Sequence, residues 1–219
     1  MKLTRTLCLL ALAPAVLLAP ACVSVKSAMK NTPSAPISKR LPALEIYADQ
    51  GPLAMNDGAL PEDPLKLFTQ ECKLNLTEPT DSATFGYAKL VVKKVRTLRT
   101  GRGLQGLQVL TFMVPAVFGV PLEWYKTTLQ AELQVSDASG NLLGTYAGTG
   151  NSEVKVAMYH GYSQTTAPRL ADIIALRGAM AQIRPQLDTA TQRLRPLLLT
   201  GGTVENPTLP ASGVVTGSR

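Results

Sequence analysis

A strict alternation of apolar and polar residues between positions 127 and 136 most constrains the fold of this chain. The apolar members of the alternation are Leu129, Ala131, Leu133 and Val135. Successive side chains of a strand point to opposite faces, so the pattern predicts a strand with one buried and one solvated face. The fold must therefore cover one face of a sheet with apolar partners and leave the other to water.

The residues that follow extend this strand into a hairpin. Residues 137–141, DASGN, are typical of a turn. Residues 142–149 predict the return strand, and residues 154–158 predict a continuation of the sheet. Gly148 and Gly150 indicate a bulge or bend between those two parts.

Two further strands and one helix are predicted upstream of the hairpin. Residues 83–98 are rich in β-branched and aromatic side chains and predict a long strand, and residues 43–48 predict a short one. Asp63 followed by Pro64 is typical of a helix start, because proline fits the first turn of a helix. Cys72 lies among apolar residues without a cysteine partner, which predicts a buried small hydrophobic residue.

The last element predicted from the sequence is an amphipathic helix that begins near Pro168. Its apolar residues recur at spacings of three and four, and the pattern ends near Pro185 with a weaker continuation toward Leu199. Strands that follow each other without alternating helices favour an α+β fold. We expect an antiparallel sheet of about four strands with two helices packed on one face, in a single domain over residues 42–199. Residues 200–219 predict a disordered tail.

The amino terminus has the order of a secretory signal. Basic Lys2 and Arg5 precede an apolar run over residues 7–18, and small residues precede Cys22. The apolar run is shorter than the roughly 20 residues that span a membrane. We therefore expect residues 1–21 to be a cleaved signal peptide.

Residues 18–22, LAPAC, resemble the lipobox of bacterial lipoproteins, in which the cysteine receives a diacylglycerol before the signal is cut. The resemblance implies lipidation of Cys22; cleavage after Ala21 with an unmodified cysteine is the alternative. Residues 22–41 then read as the lipidated cysteine and a flexible tether, because their Ser, Lys, Ala and Pro composition buries little apolar area. No aspartate follows the cysteine, and in this family that favours the outer membrane, with the domain facing the periplasm.

Basic residues are concentrated on the predicted long strand and just after it. The formal net charge is +7, and the cluster consists of Lys89, Lys93, Lys94, Arg96, Arg99 and Arg102. In the cell envelope such a cluster attracts lipid headgroups, and we name Lys93, Lys94 and Arg96 as candidate contacts. The alternative is a strand edge kept soluble by lysine. We expect no nucleic-acid partner for an exported chain.

Residues 103–122 carry no charge and are mostly apolar. Pro115 and Pro121 argue against a spanning helix, because lipid cannot satisfy the backbone groups that they disrupt. The segment is either a buried connection, a flap that contacts membrane or a partner, or a span. Val114 and Phe118 are its candidate contact residues.

Two motifs suggest chemistry without supporting context. Gly101 to Gly106 match G-x-G-x-x-G, but a dinucleotide site needs a helix within a βαβ unit, so we expect a mobile turn. His160 could form a triad with Ser163 and Asp172, yet no G-x-S-x-G elbow precedes the serine. A single histidine also leaves too few ligands for zinc.

The complete pattern resembles small bacterial envelope lipoproteins, a class that includes lipopolysaccharide-assembly and transporter-auxiliary lipoproteins. Cys22 carries the specific part of the likeness, and the hairpin and last helix carry its architecture. The resemblance implies a non-catalytic accessory lipoprotein without cofactor or metal, whose partners are the membrane, through the lipid, and an envelope protein or lipid. The alternatives are an exported hydrolase and a lipid-binding carrier that uses residues 103–122 as a lid.

Overall fold

A computed structural model describes residues 24–79, 83–117, 120–157 and 161–204. Its helices and strands, in chain order, are α1 (Val25–Lys30), β1 (Glu45–Asp49), α2 (Asp63–Glu71), β2 (Tyr87–Thr100), α3 (Arg102–Leu110), α4 (Val114–Val117), β3 (Glu123–Ser136), β4 (Leu142–Val156) and α5 (Ala167–Thr200). A 3₁₀ turn at Gly51–Met55 follows β1, and a π-helical turn at Cys72–Leu76 extends α2. The predicted signal peptide and Cys22 lie outside the described residues.

The four strands form one sheet in the order β1-β2-β3-β4. The α+β class and the number of strands agree with the prediction. The expectation of a purely antiparallel sheet is wrong, because β1 pairs with β2 in parallel, with Glu45 opposite Tyr87. Helix α2 lies in the connection between these strands and returns the chain to the end of the sheet where β1 starts. The pairs β2–β3 and β3–β4 are antiparallel.

The predicted hairpin is present, and its second strand is longer than expected. Strand β4 continues without interruption from residue 142 to residue 156. Gly148 and Gly150 do not form a bulge; they let α5 approach the sheet. A Cβ on Gly150 would overlap the carbonyl oxygen of Ala175, and one on Gly148 would overlap that of Ala179. The register shifts of the long strands lie elsewhere: one in β2 between Val92 and Lys94, and one between β3 and β4 where Val135 pairs with Gly144 and Ser136 with Leu142.

Helix α5 has 34 residues and passes through Pro185 and Pro196, so the prediction that it ends near Pro185 is wrong. Proline inside a helix removes a hydrogen bond and costs about 3 kcal/mol. The buried positions nevertheless continue beyond it at helical spacing: Leu187, Thr191, Leu194 and Leu198. Burial of these residues against the sheet offsets the cost, since a fully buried leucine contributes about 1.5–3 kcal/mol.

The two faces of the sheet differ in what covers them. Helix α5 packs across β3 and β4, and α2 packs against β1. The buried residues of β3 alternate with partly exposed ones along the whole strand, so its other face is open. Side chains of α5 also satisfy the outer edge of β4: Gln182 accepts from the backbone N–H of Thr149 at 2.9 Å, and Gln186 donates to the carbonyl of Ala147 at 2.7 Å.

Residues 24–41, which the sequence predicts to be part of a flexible tether, make specific contacts with the rest of the chain. Helix α1 buries Ala28, and Arg177 donates to the carbonyl oxygen of Asn31 at 2.7 Å. The hydroxyl of Ser38 donates to Asp188 at 2.6 Å. The structure therefore differs from the prediction: this segment lies along α5 rather than leading away from the domain.

Candidate contact surface

The connection between β2 and β3 folds into two short helices, α3 and α4, joined by a turn at residues 111–113. The prediction of a mobile turn at residues 101–106 is wrong, because α3 begins directly after Gly101. Gly101 has a φ of +92°, and a Cβ there would lie 2.9 Å from the ring of Trp124. The turn at residues 111–113 interrupts the helical structure of this segment. Among the described residues, no helix has the length and apolarity to cross a membrane.

One side of this helical segment is anchored in the protein. Gln108 is buried, and its side-chain amide donates to the carbonyl oxygens of Val120 at 3.4 Å and Pro121 at 3.1 Å. The backbone N–H of Met113 donates to the carbonyl of Gln108 at 2.7 Å, and Ala116 is fully buried. These contacts fix the turn between α3 and α4 against the residues that lead into β3.

The other side of the segment exposes large apolar side chains. The exposed fractions are 91% for Phe112, 79% for Leu110, 70% for Val109 and 54% for Val114, and we call these four residues the apolar tip. Phe112 has a φ of +50° and the adjacent Met113 one of +62°. Left-handed backbone costs a non-glycine residue roughly 1–2 kcal/mol. Because the Phe112 ring is almost wholly in water, packing within the chain does not offset this cost, which makes the residue a functional candidate.

The predicted basic contacts lie on the strand that leads to the apolar tip. Lys93, Lys94 and Arg96 are exposed, and Lys93 lies 3.4 Å from the carboxylate of Glu132. Arg96 pairs with Thr128 and faces the open side of the sheet. The five steps from Arg96 to Gly101 span about 17 Å at the rise of a strand. Lys93, Lys94 and Arg96 therefore lie along the middle of β2, at some distance from Val114 in the apolar tip, and Phe118 lies outside the described residues.

Val114 was predicted from the sequence as a contact residue, whereas Phe112, Leu110 and Val109 were not. Their exposure depends on the left-handed turn at Phe112, and neither residue of that turn is a glycine, which is the usual sequence signal for such a backbone. The uncharged character of residues 103–122 was the only signal available, and it does not separate the exposed side of the segment from the buried one.

Apart from the apolar tip, the surface has a concave region on the open face of the sheet near the β3–β4 turn. It has a volume of about 1020 Å³ and is lined by residues that include Tyr47, Tyr87, Lys89 and Gln134. The rings of Tyr47 and Tyr87 lie 6.1 Å apart. A hydrogen bond to Glu45 raises the pKa of Tyr47 to about 12. The region offers aromatic and amide groups together with the ion pair of Lys89 and Asp49, whose charged atoms lie 3.8 Å apart.

A buried polar cluster joins α5 to the sheet. The carboxylate of Asp172 accepts from the hydroxyl of Thr127 at 3.0 Å and from the amide of Asn56 at 3.1 Å. Its second oxygen, Oδ2, has no hydrogen-bond partner among the described residues. Burial raises the pKa of Asp172 to about 6. Nearby, the hydroxyl of Tyr125 donates to Asp57 at 3.0 Å.

The structure does not bring Ser163 and Asp172, two candidate catalytic residues, into contact with each other. Ser163 is exposed and bonds to Thr165 and Thr166 in the turn before α5, whereas Asp172 is buried with other partners. His160 lies outside the described residues. Cys72 is buried, as the sequence predicts, and burial raises the pKa of its thiol well above the usual value.

Comparison with known proteins adds no assignment to this geometry. No family model matches the chain, and no curated protein is significantly similar to it. The described residues contain no group of three or more side chains that could hold a metal ion. The apolar tip is therefore the feature of the described surface that points most directly to a function.

Proposed function

We propose that this chain is a non-catalytic accessory lipoprotein of the bacterial cell envelope that binds another envelope component through the apolar tip. In this proposal residues 1–21 direct export and Cys22 carries the lipid. The chain is anchored in the outer membrane and faces the periplasm. The support for export and anchoring is the signal-like amino terminus and its resemblance to a lipobox.

The single observation that carries the binding function is the state of Phe112, which is 91% exposed on left-handed backbone. Burying an aromatic or large aliphatic side chain contributes about 1.5–3 kcal/mol. The four residues of the apolar tip can therefore supply substantial binding energy to a partner that covers them. Soluble monomers rarely expose a contiguous apolar patch of this kind without such a role.

The two alternatives have less support in the described residues. A hydrolase needs a positioned nucleophile and base, and Ser163 and Asp172 have separate partners. A carrier that uses residues 103–122 as a lid needs the apolar side chains of the lid to face a cavity. Phe112 and Leu110 instead face water.

The proposal is tested by co-purification of the lipidated protein from native membranes. Phe112→Asn should lose the envelope component, because it removes the most exposed apolar group and asparagine tolerates left-handed backbone. Leu142→Asn is the matched control: Leu142 is 59% exposed but lies at the β3–β4 turn, at the other end of the sheet. Equal recovery of the same components with both variants would refute a binding role for the apolar tip.

A further inference from the structure

We infer that the envelope component bound by the apolar tip is an anionic lipid bilayer, and that the tip inserts into the same bilayer that holds the lipid of Cys22. This inference rests on the proposed function for the anchor at Cys22. It adds a second point of attachment, which fixes the orientation of the domain on the membrane.

Helix α1 lies close to Cys22 in the sequence and is held against the domain. Ser24 is the first described residue, and α1 follows it directly, with a hydrogen bond from the backbone N–H of Ser27 to the Ser24 hydroxyl. Burial of Ala28 holds this helix against the domain. Two steps along the chain separate Cys22 from Ser24, which limits their separation to about 7 Å. A lipid on Cys22 would therefore hold this end of the domain next to the bilayer.

The apolar tip lies at the same end of the domain as α1. Lys26 of α1 lines the same concave region as Asp63 of α2 and Arg169 of α5. Arg169 lies in the first turn of α5 and donates to Asp63 at 2.8 Å. One turn later, Asp172 accepts a hydrogen bond from Thr127 near the start of β3. Strand β3 begins directly after the helices that carry the tip. The start of α5 thus contacts residues beside α1 and residues near the start of β3. The lipid on Cys22 and the apolar tip can therefore meet the surface of one membrane.

The charge on the strand that leads to the tip favours lipid over a protein partner. Lys94 and Arg96 are exposed on the open face and have no ion-pair partner among the described residues. Further along the same face, Leu98 is partly exposed, so apolar groups follow basic ones toward the tip. Apolar side chains bordered by lysine and arginine are typical of protein segments that lie in the interface of an anionic bilayer. Protein–protein interfaces are depleted of lysine, although they are enriched in arginine, so Lys94 is the residue that favours a bilayer over a protein.

The fluorescence of Trp124 can report whether the apolar tip binds a membrane. Trp124 is the only tryptophan of the chain and is partly exposed at the base of the tip, next to Gly101. Tryptophan is enriched at the level of lipid headgroups, and its emission shifts to the blue when it leaves water. Binding of the tip to a bilayer can therefore be followed without a label.

The test uses the mature chain with Cys22→Ser, which removes the lipid and leaves the tip as the only proposed membrane contact. We expect it to sediment with vesicles of phosphatidylglycerol and phosphatidylcholine and to show a blue shift of Trp124. Phe112→Asn should weaken this binding about tenfold or more. Lys94→Gln combined with Arg96→Gln should remove the preference over vesicles of phosphatidylcholine alone. Leu142→Asn should bind like the parent chain. Failure of the parent chain to bind anionic vesicles would overturn the inference.

Two results separate this inference from the proposed function. If vesicles are not bound but Phe112→Asn still loses its native envelope component, the partner is a protein and only the inference fails. If mass spectrometry finds Cys22 unmodified in the native protein, the proposed anchor fails, and the two-point attachment fails with it. In the lipidated full chain, quenching of Trp124 by brominated lipid should depend on Phe112; quenching that Phe112→Asn leaves unchanged would contradict insertion of the tip.

Discussion

Arg184 of α5 and Glu71 of α2 form an ion pair that is mostly buried, with 2.6 Å between guanidinium nitrogen and carboxylate oxygen. The other carboxylate oxygen of Glu71 accepts from the side-chain amide of Asn75 at 3.0 Å. This pair joins the crossover helix to the long helix. Removing one member of a buried pair leaves the other charge without compensation, which makes the pair a sensitive point of the fold.

We therefore expect Arg184→Met to lower the free energy of unfolding by about 3–5 kcal/mol. Lys66→Met is the matched control, because Lys66 pairs with Glu62 on the exposed surface of α2, and such pairs contribute less than about 1 kcal/mol. Urea denaturation of both variants gives the comparison. Similar losses for the two substitutions would mean that the Glu71 pair is not buried in solution.

The pH dependence of stability should report on Asp172, whose pKa is raised by burial to about 6. The folded chain then holds this proton more tightly than the unfolded chain. The free energy of unfolding therefore falls as the pH rises from about 4 to about 6, and the loss persists above that range. The difference between the pKa of Asp172 in the folded chain, about 6, and its ordinary value of 3.8 corresponds to roughly 3 kcal/mol.

Asp172→Asn cannot ionise but keeps an oxygen to accept from Thr127. Relative to the parent chain, we expect its stability to gain from about pH 4 to about pH 6 and to be roughly 1–2 kcal/mol higher at pH 7. Thr127→Val removes a hydroxyl that favours the carboxylate, so it should raise the pKa of Asp172 further. Urea denaturation at several pH values measures the stability of Asp172→Asn, and carboxyl NMR titration measures the pKa of Asp172 in Thr127→Val. An unchanged stability profile for Asp172→Asn would place the carboxylate in water.

The close approach of α5 to the sheet at Gly150 predicts a large effect from one methyl group. Gly150→Ala forces its Cβ onto the carbonyl oxygen of Ala175, so the helix must move away and the core beneath it loosens. We expect a loss of about 3 kcal/mol or more. Gly106→Ala, in α3, has no heavy atom within 4 Å of the added Cβ and should be neutral or stabilising. Thermal unfolding of the two alanine variants distinguishes a specific overlap from a general effect of replacing glycine.

The turn at Phe112 should store strain that a substitution releases. Phe112→Gly removes the cost of left-handed backbone and should stabilise the chain by about 1 kcal/mol. Phe112→Val places a β-branched side chain on the same left-handed backbone and should destabilise the chain. Chemical denaturation in the absence of lipid checks both directions. Equal stability of the two variants would mean that the turn adopts another conformation when the chain is not bound.

The proposed anchor gives a direct prediction for Cys22. Mass spectrometry of the mature amino terminus should find an acylated cysteine, and Cys22→Ser should release the chain from firm membrane attachment, because one apolar tip binds more weakly than two or three acyl chains. An unmodified cysteine in the native protein contradicts the prediction. Protease treatment of intact cells should leave the domain uncut, whereas rapid digestion would place it outside the cell.

Local patterns in the sequence predicted the elements whose signals are local. The alternation from Leu129 to Val135 gave β3, Asp63 and Pro64 gave the start of α2, and the spacing after Pro168 gave α5. The parallel pairing of β1 with β2 was not predicted, because it joins residues about 40 positions apart and depends on the whole crossover. Pro185 was misleading because packing against the sheet offsets a local helix-breaking preference.

The candidate contact surface was predicted in position but not in detail. The lack of charge over residues 103–122 located it, and Val114 is exposed there. The turn at Phe112 and the burial of Gln108 decide which side faces water, and both depend on contacts with the residues that lead into β3. Such contacts leave no periodic signal in the sequence.

The hydrogen bonds from Gln182 and Gln186 to the outer edge of β4 limit how copies of this chain can associate. An open strand edge is a template on which a neighbouring chain can add another strand. The proposed lipid anchor would confine neighbours to a surface at high effective concentration, where such templating would be most damaging. With the backbone N–H of Thr149 and the carbonyl of Ala147 already satisfied, the middle of this edge offers fewer groups to an added strand. The long helix therefore hinders strand addition at this part of the edge as well as covering the core.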